Sequence, residues 1–406
     1  LQYYANLHNI AKYILFNMVN KTIIKGKTAT QVMFLVCGLA LSSWAPMVPF
    51  AKDRLGLNDG ELGLLLLFLG GGALLTMPLS GFLIGKVGSR KVILIAGLIA
   101  ALVLPVLLMV TNSYLMAGVL FIFGCSIGGI DVAMNAHGVQ VQNAMGRPIM
   151  SSLHGLFSVG GLFGSIGLGF LIKMGLNPIY AAVTIAILLV LLLLLQYRKL
   201  LDYQKEKEII VRFSHIDETK LSKDKFQWFR WSVLILGLMC FIAFLSEGAM
   251  LDWSAIFLRD HKGVSSEFTG IGYAAFSIAM AVMRLQGDRL VSKLNSHVVV
   301  IGGSLLAALG ILIVVGSLWL SLTLFGFVLL GLGAANIVPV FFSEGGRIEG
   351  LSPTIAIPVI STMGYAGQLA GPALLGVIAQ YFSLIIAFET IALLFIVVAL
   401  IYKFRK

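Results

Sequence analysis

The 406 residues are 59% hydrophobic and only 12% charged, with a mean hydropathy of +0.97. Such values exclude a water-soluble globular domain and leave an integral membrane protein. The formal charge of +11 does not call for nucleic acid as a partner, because the basic residues sit in short loops between apolar runs rather than on one basic face.

Residues 1–28 carry four lysines and no acid. Their apolar patch YILFNMV is too short to span a bilayer, so the segment reads as a basic tail on the inner surface; a cleaved signal fits less well, since no small-residue cleavage site is followed by a second start. Twelve long apolar runs follow, near 30–50, 61–84, 91–110, 114–142, 151–173, 177–196, 231–257, 266–291, 297–315, 317–343, 354–380 and 383–402. A helix of about 20 residues crosses the hydrocarbon layer, and these runs are too long and too continuously apolar for barrel strands, so they are expected to be helices. With both termini inside, 24 Lys and Arg lie on the cytoplasmic side and 5 on the outer side, the asymmetry that orients multi-pass proteins. Cys37, Cys125 and Cys240 all fall within spans, which argues against a disulfide framework or a thiolate metal site.

The polar stretch 197–230 divides the spans six and six. The expected organisation is a tail (1–28), an N-terminal half (29–196), a cytoplasmic linker (197–230) and a C-terminal half (231–406). The halves repeat one another: Gly160, Gly164 and Gly169 of the fifth span recur at the same spacing as Gly367, Gly371 and Gly376 of the eleventh. GKVGSRK after span 2 likewise matches GDRLVSK after span 8, and SSWAP matches LDWSA. Two parallel six-helix repeats describe a transporter with its site between the halves.

Polar residues inside the spans mark that site. In GGIDVAMNAHGVQVQ, Asp131, Asn135, Gly138 and Gln142 share one narrow stripe of an ideal helix, and Asp131 lies roughly 26 Å from the outer end. A carboxylate at that depth costs about 3 kcal/mol unless it faces the bundle interior. A structural role in a helix contact is the alternative, and His137, off the stripe, reads as packing. In SEGAMLDW, Glu247 is expected near the middle and Asp252 nearer the outside; they lie about 140° apart on an ideal helix. Asp131, Glu247 and Asp252 are therefore the proton-coupling candidates, Asp252 with Trp253 serving alternatively as substrate contact or outer gate. Substrate-facing candidates are Asn135, Gln142, Trp44, Trp253, Asn336 and Gln368, weighed against interfacial anchoring for the tryptophans and helix-helix hydrogen bonding for the amides. Arg284 is placed about 10 Å from the inner end, paired with Asp288 at i+4, which leaves no base near the midplane and argues against a strongly anionic solute.

From about residue 29 onward the chain resembles the major facilitator superfamily, carried by GFLIGKVGSRK and its weaker copy RLQGDRLVSK. The resemblance implies an all-α membrane fold of twelve helices and a charged gate in those loops, with Lys86, Arg90, Arg147, Arg284, Asp288, Arg289 and Arg347 as its candidates. Gly85 stands where that signature usually has Asp, and Arg284 where the copy usually has Gly, so the gate is expected to lean on Asp288. The stretch GGIDVAMNAHG is similar to the fourth helix of fucose-proton symporters, and with SWAPMVPFAK and SEGAMLDWSAIFL the chain resembles the bacterial YbjJ-type branch. The expected function is proton-coupled uptake of a small neutral, sugar-like solute by an inner-membrane monomer, with no cofactor, no metal and no enzymatic activity. Export of an amphipathic or cationic compound, and a non-transporting receptor or scaffold, are the alternatives.

Overall fold

The computed structural model describes residues 2–57, 59–214, 230–265, 268 and 270–405, and of residues 2–20, 49, 59, 60, 214 and 252 the backbone alone. The N-terminal half comprises α1 (Gln2–Ser43), the short α2 (Val48–Leu55), α3 (Asp59–Val87), α4 (Ser89–Val106), α5 (Ser113–Met145), α6 (Met150–Lys173) and α7 (Pro178–Tyr197). The linker carries α8 (Tyr203–Ser214), and the C-terminal half holds α9 (Trp231–Lys262), α10 (Ile271–Gly316), α11 (Leu320–Ala334), α12 (Ile337–Gly345), α13 (Pro353–Tyr381) and α14 (Leu384–Phe404).

Local chemistry sets the helix ends. Asn112 Oδ1 accepts from the Tyr114 and Leu115 amides at 2.9 and 3.1 Å to start α5, and Asn177 does the same for α7 ahead of Pro178, satisfying amides that the first helical turn leaves free. Gly146 closes α5 in the left-handed region at φ 64°, a conformation open to glycine at little cost.

Among the described residues, ten helical segments are long and apolar enough to cross a membrane. One of them, α10, is two spans joined at Asn295, whose φ of 63° breaks the helix where the sequence separates spans 8 and 9. With α13, a continuous helix of 29 residues that contains Pro358 and Pro372, the described spans number twelve. Two expectations change in detail. The basic tail is continuous with the first span, since α1 runs unbroken from Gln2 to Ser43. The tenth span is two helices, α11 and α12, with Asn336 non-helical between them at φ −104°, ψ 1°.

The repeat is visible in packing. In α6, added methyl groups at Gly160 and Gly164 would collide with the carbonyls of Leu35 and Leu39 in α1, and in α13 those at Gly367 and Gly371 would collide with the carbonyls of Phe241 and Leu245 in α9. Only glycine admits so close a backbone approach. Across the halves, α3 packs against α13 and α6 against α10.

Candidate functional site

Asp131 sits in a tightly packed stretch of α5 in which every residue from Ser126 to Asn143 is buried. Asn135, one turn on, donates Nδ2–H to the Asp131 carbonyl at 3.0 Å and to its Oδ1 at 3.3 Å. The carboxyl points at the other half: Ser361 of α13 lies beside it, and it is an electrostatic neighbour of Cys37 in α1, Cys240 in α9 and Tyr365 in α13. Glu247 of α9 also acts on Cys240 and Tyr365, so acids from opposite halves flank the same two side chains. Among the described residues no base forms an ion pair with Asp131.

Glu247 is compensated. Its Oε2 takes Arg284 Nη2–H at 3.2 Å, while Arg284 donates Nε–H to the Ala335 carbonyl and Nη1–H to Ser158 Oγ, each at 3.2 Å. The Ala335 acceptor follows from sequence. Four residues later stands Pro339, which has no N–H to return to that carbonyl; the helix opens between α11 and α12, and the guanidinium takes the freed oxygen. Arg284 is 4% exposed. This corrects its assignment to a gate pair with Asp288 and the inference that no base enters the interior: from α10 the long side chain reaches inward to Glu247 and across to Ser158 of the other half.

The remaining substrate candidates separate. Among the described residues, Trp44 Nε1, Asn135 Oδ1 and Asn336 Oδ1 are buried without a protein partner, the condition of groups that a solute or water satisfies. Asn336 Oδ1 abuts Gly287 of α10, with Ser151 of α6 beside it, in the seam between halves. Gln142 has a structural role: its Oε1 accepts from the Ile149 and Met150 amides at 3.0 and 3.3 Å and from Ser343 Oγ at 3.2 Å, so it caps α6 and ties it to α12, while its Nε2 is buried without a partner among the described residues. Its place on the stripe is real, but α5 carries it past the site to the linker end. Trp253 donates Nε1–H to the Pro372 carbonyl at 3.0 Å, holding α9 to α13; Gln368 is half-buried. The Asp252 side chain lies outside the described residues. His137 is a clamp, with Nδ1 2.8 Å from Thr30 Oγ1 and Nε2 accepting from the Leu201 amide at 2.9 Å.

At the linker end the halves meet through polar contacts. Asp288 Oδ1 accepts from the Ser152 amide at 3.2 Å, a carboxylate at the N-terminus of α6 where the helix dipole favours it. Arg347 Nε–H donates to Asn143 Oδ1 at 3.0 Å, and Asn143 Nδ2–H to the Gly346 carbonyl at 3.2 Å. Lys86 stacks over Phe82 and Arg90 over Tyr197, while Arg147 and Arg289 are exposed. Sequence reasoning missed Ser158, Tyr365 and His154, the last buried with Nε2 unpartnered between Phe34 and Phe342. Their signal was present as polar residues inside apolar spans, but single Ser, Tyr and His side chains carry less burial cost than an acid and stood out less.

Residues 32–344 match the family model for the Major Facilitator Superfamily. The chain belongs to the major facilitator superfamily. An uncharacterized MFS-type transporter of Yersinia pestis is 44% identical over 376 residues, covering 93% of this chain and 94% of that one. The membrane protein MosC of Rhizobium meliloti is 31% identical over 359 residues, covering 87% and 83%. Among solved structures, the fucose transporter FucP in an outward conformation superposes with a TM-score of 0.73 at 16% identity over 95% of this chain and 99% of that one. The proton:xylose symporter XylE superposes at 0.74 with 13% identity over 95% and 96%. At these identities the superpositions establish the fold. As a major facilitator the protein is a multi-pass membrane transporter and not an enzyme.

Proposed function

We propose that the protein is a proton-coupled secondary transporter that takes up a small, neutral, polar solute of sugar-like chemistry by alternating access. It works in the bacterial inner membrane as a monomer with both termini cytoplasmic, as the distribution of Lys and Arg supports. The observation that carries this reading is the contrast between two interior acids: among the described residues Glu247 has Arg284, while Asp131 has only hydrogen-bond donors. A carboxyl without a counter-charge in a low-dielectric interior is neutral when it holds a proton and costly when it does not. Asp131 is thus the group whose protonation and release drive the cycle, while Glu247 stays tied to Arg284. Since Glu247 and Arg284 cancel, protonated Asp131 leaves the site neutral, which favours an uncharged solute over an anion or cation. The unpartnered Trp44 Nε1–H, Asn135 Oδ1 and Asn336 Oδ1 offer the donor and acceptors that hydroxyl groups need.

Two structural neighbours are described as a fucose:proton symporter and a proton:xylose symporter, in keeping with this chemistry, and the helix 4 stretch and the YbjJ-type branch assignment belong to the same reading. The test is uptake of labelled sugars and polyols into proteoliposomes under an imposed pH gradient. Accumulation that collapses with the gradient supports the proposal; accumulation of a solute that ignores the gradient, or solute flux with no proton movement, overturns it.

A further inference from the structure

The turn from α3 into α4 has no acid of its own: Gly85, Lys86 and Val87 end α3, and Gly88 alone joins it to α4. The linker brings one. Glu206 of α8 is 4% exposed; its Oε2 accepts the Ser89 amide at 3.0 Å and its other oxygen meets Ser89 Oγ, so the carboxyl caps the first residue of α4. One turn earlier, Tyr203 donates its hydroxyl to the Gly85 carbonyl at 2.8 Å. Gly88, at φ 84°, is where the two elements touch: an added methyl there would meet the Tyr203 Cβ at 3.0 Å and Glu206 Oε2 at 3.2 Å. Loop and linker helix therefore interlock through two hydrogen-bonding side chains and a glycine with no room for a side chain.

What the docked helix covers gives the contact its consequence. A cavity of about 820 Å³ lies between α3 and α13, with Pro78 and Phe82 on one wall, Ile355 and Met363 on the other, and Glu206 and Ile210 of α8 at its edge. The walls belong to opposite halves, so their separation must change whenever the halves rock.

We propose that Glu206 is the latch acid of the α3–α4 loop, a positioning residue through which the linker helix holds the linker-side mouth of the transporter shut. This rests on the transport reading above but concerns a different part of the molecule from the solute site. Burial raises the Glu206 carboxyl to about 7, against the hydrogen bonds from Ser89 that lower it, with Asp202 pushing it further up. The neutral form is therefore the one the docked state favours. Docking is strongest below the ordinary carboxylate range and is lost as pH rises through about 7. The charged groups around it are Asp202 before α8, Lys207 on α8, Lys86 at the end of α3 and Arg90 on α4; from α5, His137 faces the adjacent Leu201 amide. Among the described residues none of these bases forms an ion pair with Glu206.

The test places a single cysteine at Ile355 on the cavity wall, in a variant lacking Cys37, Cys125 and Cys240. Labelling by a water-soluble maleimide in nanodiscs is normalised to the same reaction at Leu318→Cys, an exposed position on the opposite face. One linked proton changes a docking equilibrium by at most about tenfold per pH unit, so the normalised rate should rise roughly tenfold between about pH 6 and about pH 8. Glu206→Gln, a neutral isostere, should stay slow at both values, and Glu206→Ala and Ser89→Ala should be fast at both. A normalised rate independent of pH in the parent, or a Glu206→Gln profile that follows the parent, overturns the latch. Failure of the transport reading would register separately, as absence of gradient-driven solute movement in a protein that still shows the labelling pattern.

Discussion

Arg284 and Glu247 meet at 3.2 Å inside the bundle, the guanidinium 5% and the carboxylate 24% exposed. Removing one member of a buried pair strands the other charge and costs on the order of 3–5 kcal/mol, whereas removing both is far milder. Glu247→Gln and Arg284→Gln should each lower the midpoint of thermal unfolding in detergent steeply, and the double variant should recover most of the loss. Additive losses in the double variant would show that the two do not act as a pair.

Pro339 holds the Ala335 carbonyl open for Arg284. Pro339→Ala supplies the missing amide hydrogen, which competes with Arg284 Nε for the same oxygen and draws α11 and α12 toward one continuous helix. Hydrogen exchange should show the amide introduced by this substitution to be protected, and solute affinity should fall because Asn336 is pulled into the helix. Unchanged affinity with a protected amide would separate the helix break from the site.

Asp131→Asn imitates the protonated carboxyl. Gradient-driven accumulation should be lost, while exchange of labelled for unlabelled solute across equal pH persists, because binding and rocking do not need the charge. Accumulation at the parental rate would remove Asp131 from coupling.

Asp288 joins α10 to the N-terminus of α6 across the halves, whereas Lys86 rests on Phe82 of its own helix. Asp288→Asn weakens a charge-assisted bond, and states of a transporter differ by only a few kcal/mol, so single-cysteine labelling from the linker side should increase more in Asp288→Asn than in Lys86→Gln. Equal responses would place the charges in topology rather than gating.

Much of this protein was determined along the chain. Bilayer thickness and the need to satisfy every backbone group in lipid turn apolar runs into helices at nearly the observed limits, the first span excepted, where α1 runs from Gln2 and ends at Ser43, and matching glycine spacing in the fifth and eleventh spans marks the repeat. The cost of burying a carboxylate singled out Asp131 and Glu247 in the same way. These are local quantities, set by a residue and its neighbours in sequence. What only the tertiary structure decided was who answers each charge. The sequence pairs Arg284 with Asp288 because four residues on one helix are the neighbours that sequence displays, yet its side chain is long enough to meet Glu247 of α9, Ser158 of α6 and the freed Ala335 carbonyl between α11 and α12. Gln142 shared the stripe of Asp131 and still went to capping, because α5 extends beyond the site, and the acid missing at position 85 was supplied by Glu206, which caps Ser89 from 117 residues away. Partners of that kind depend on where helices meet in space, and side-chain reach across a packed interface leaves no periodic trace in the sequence.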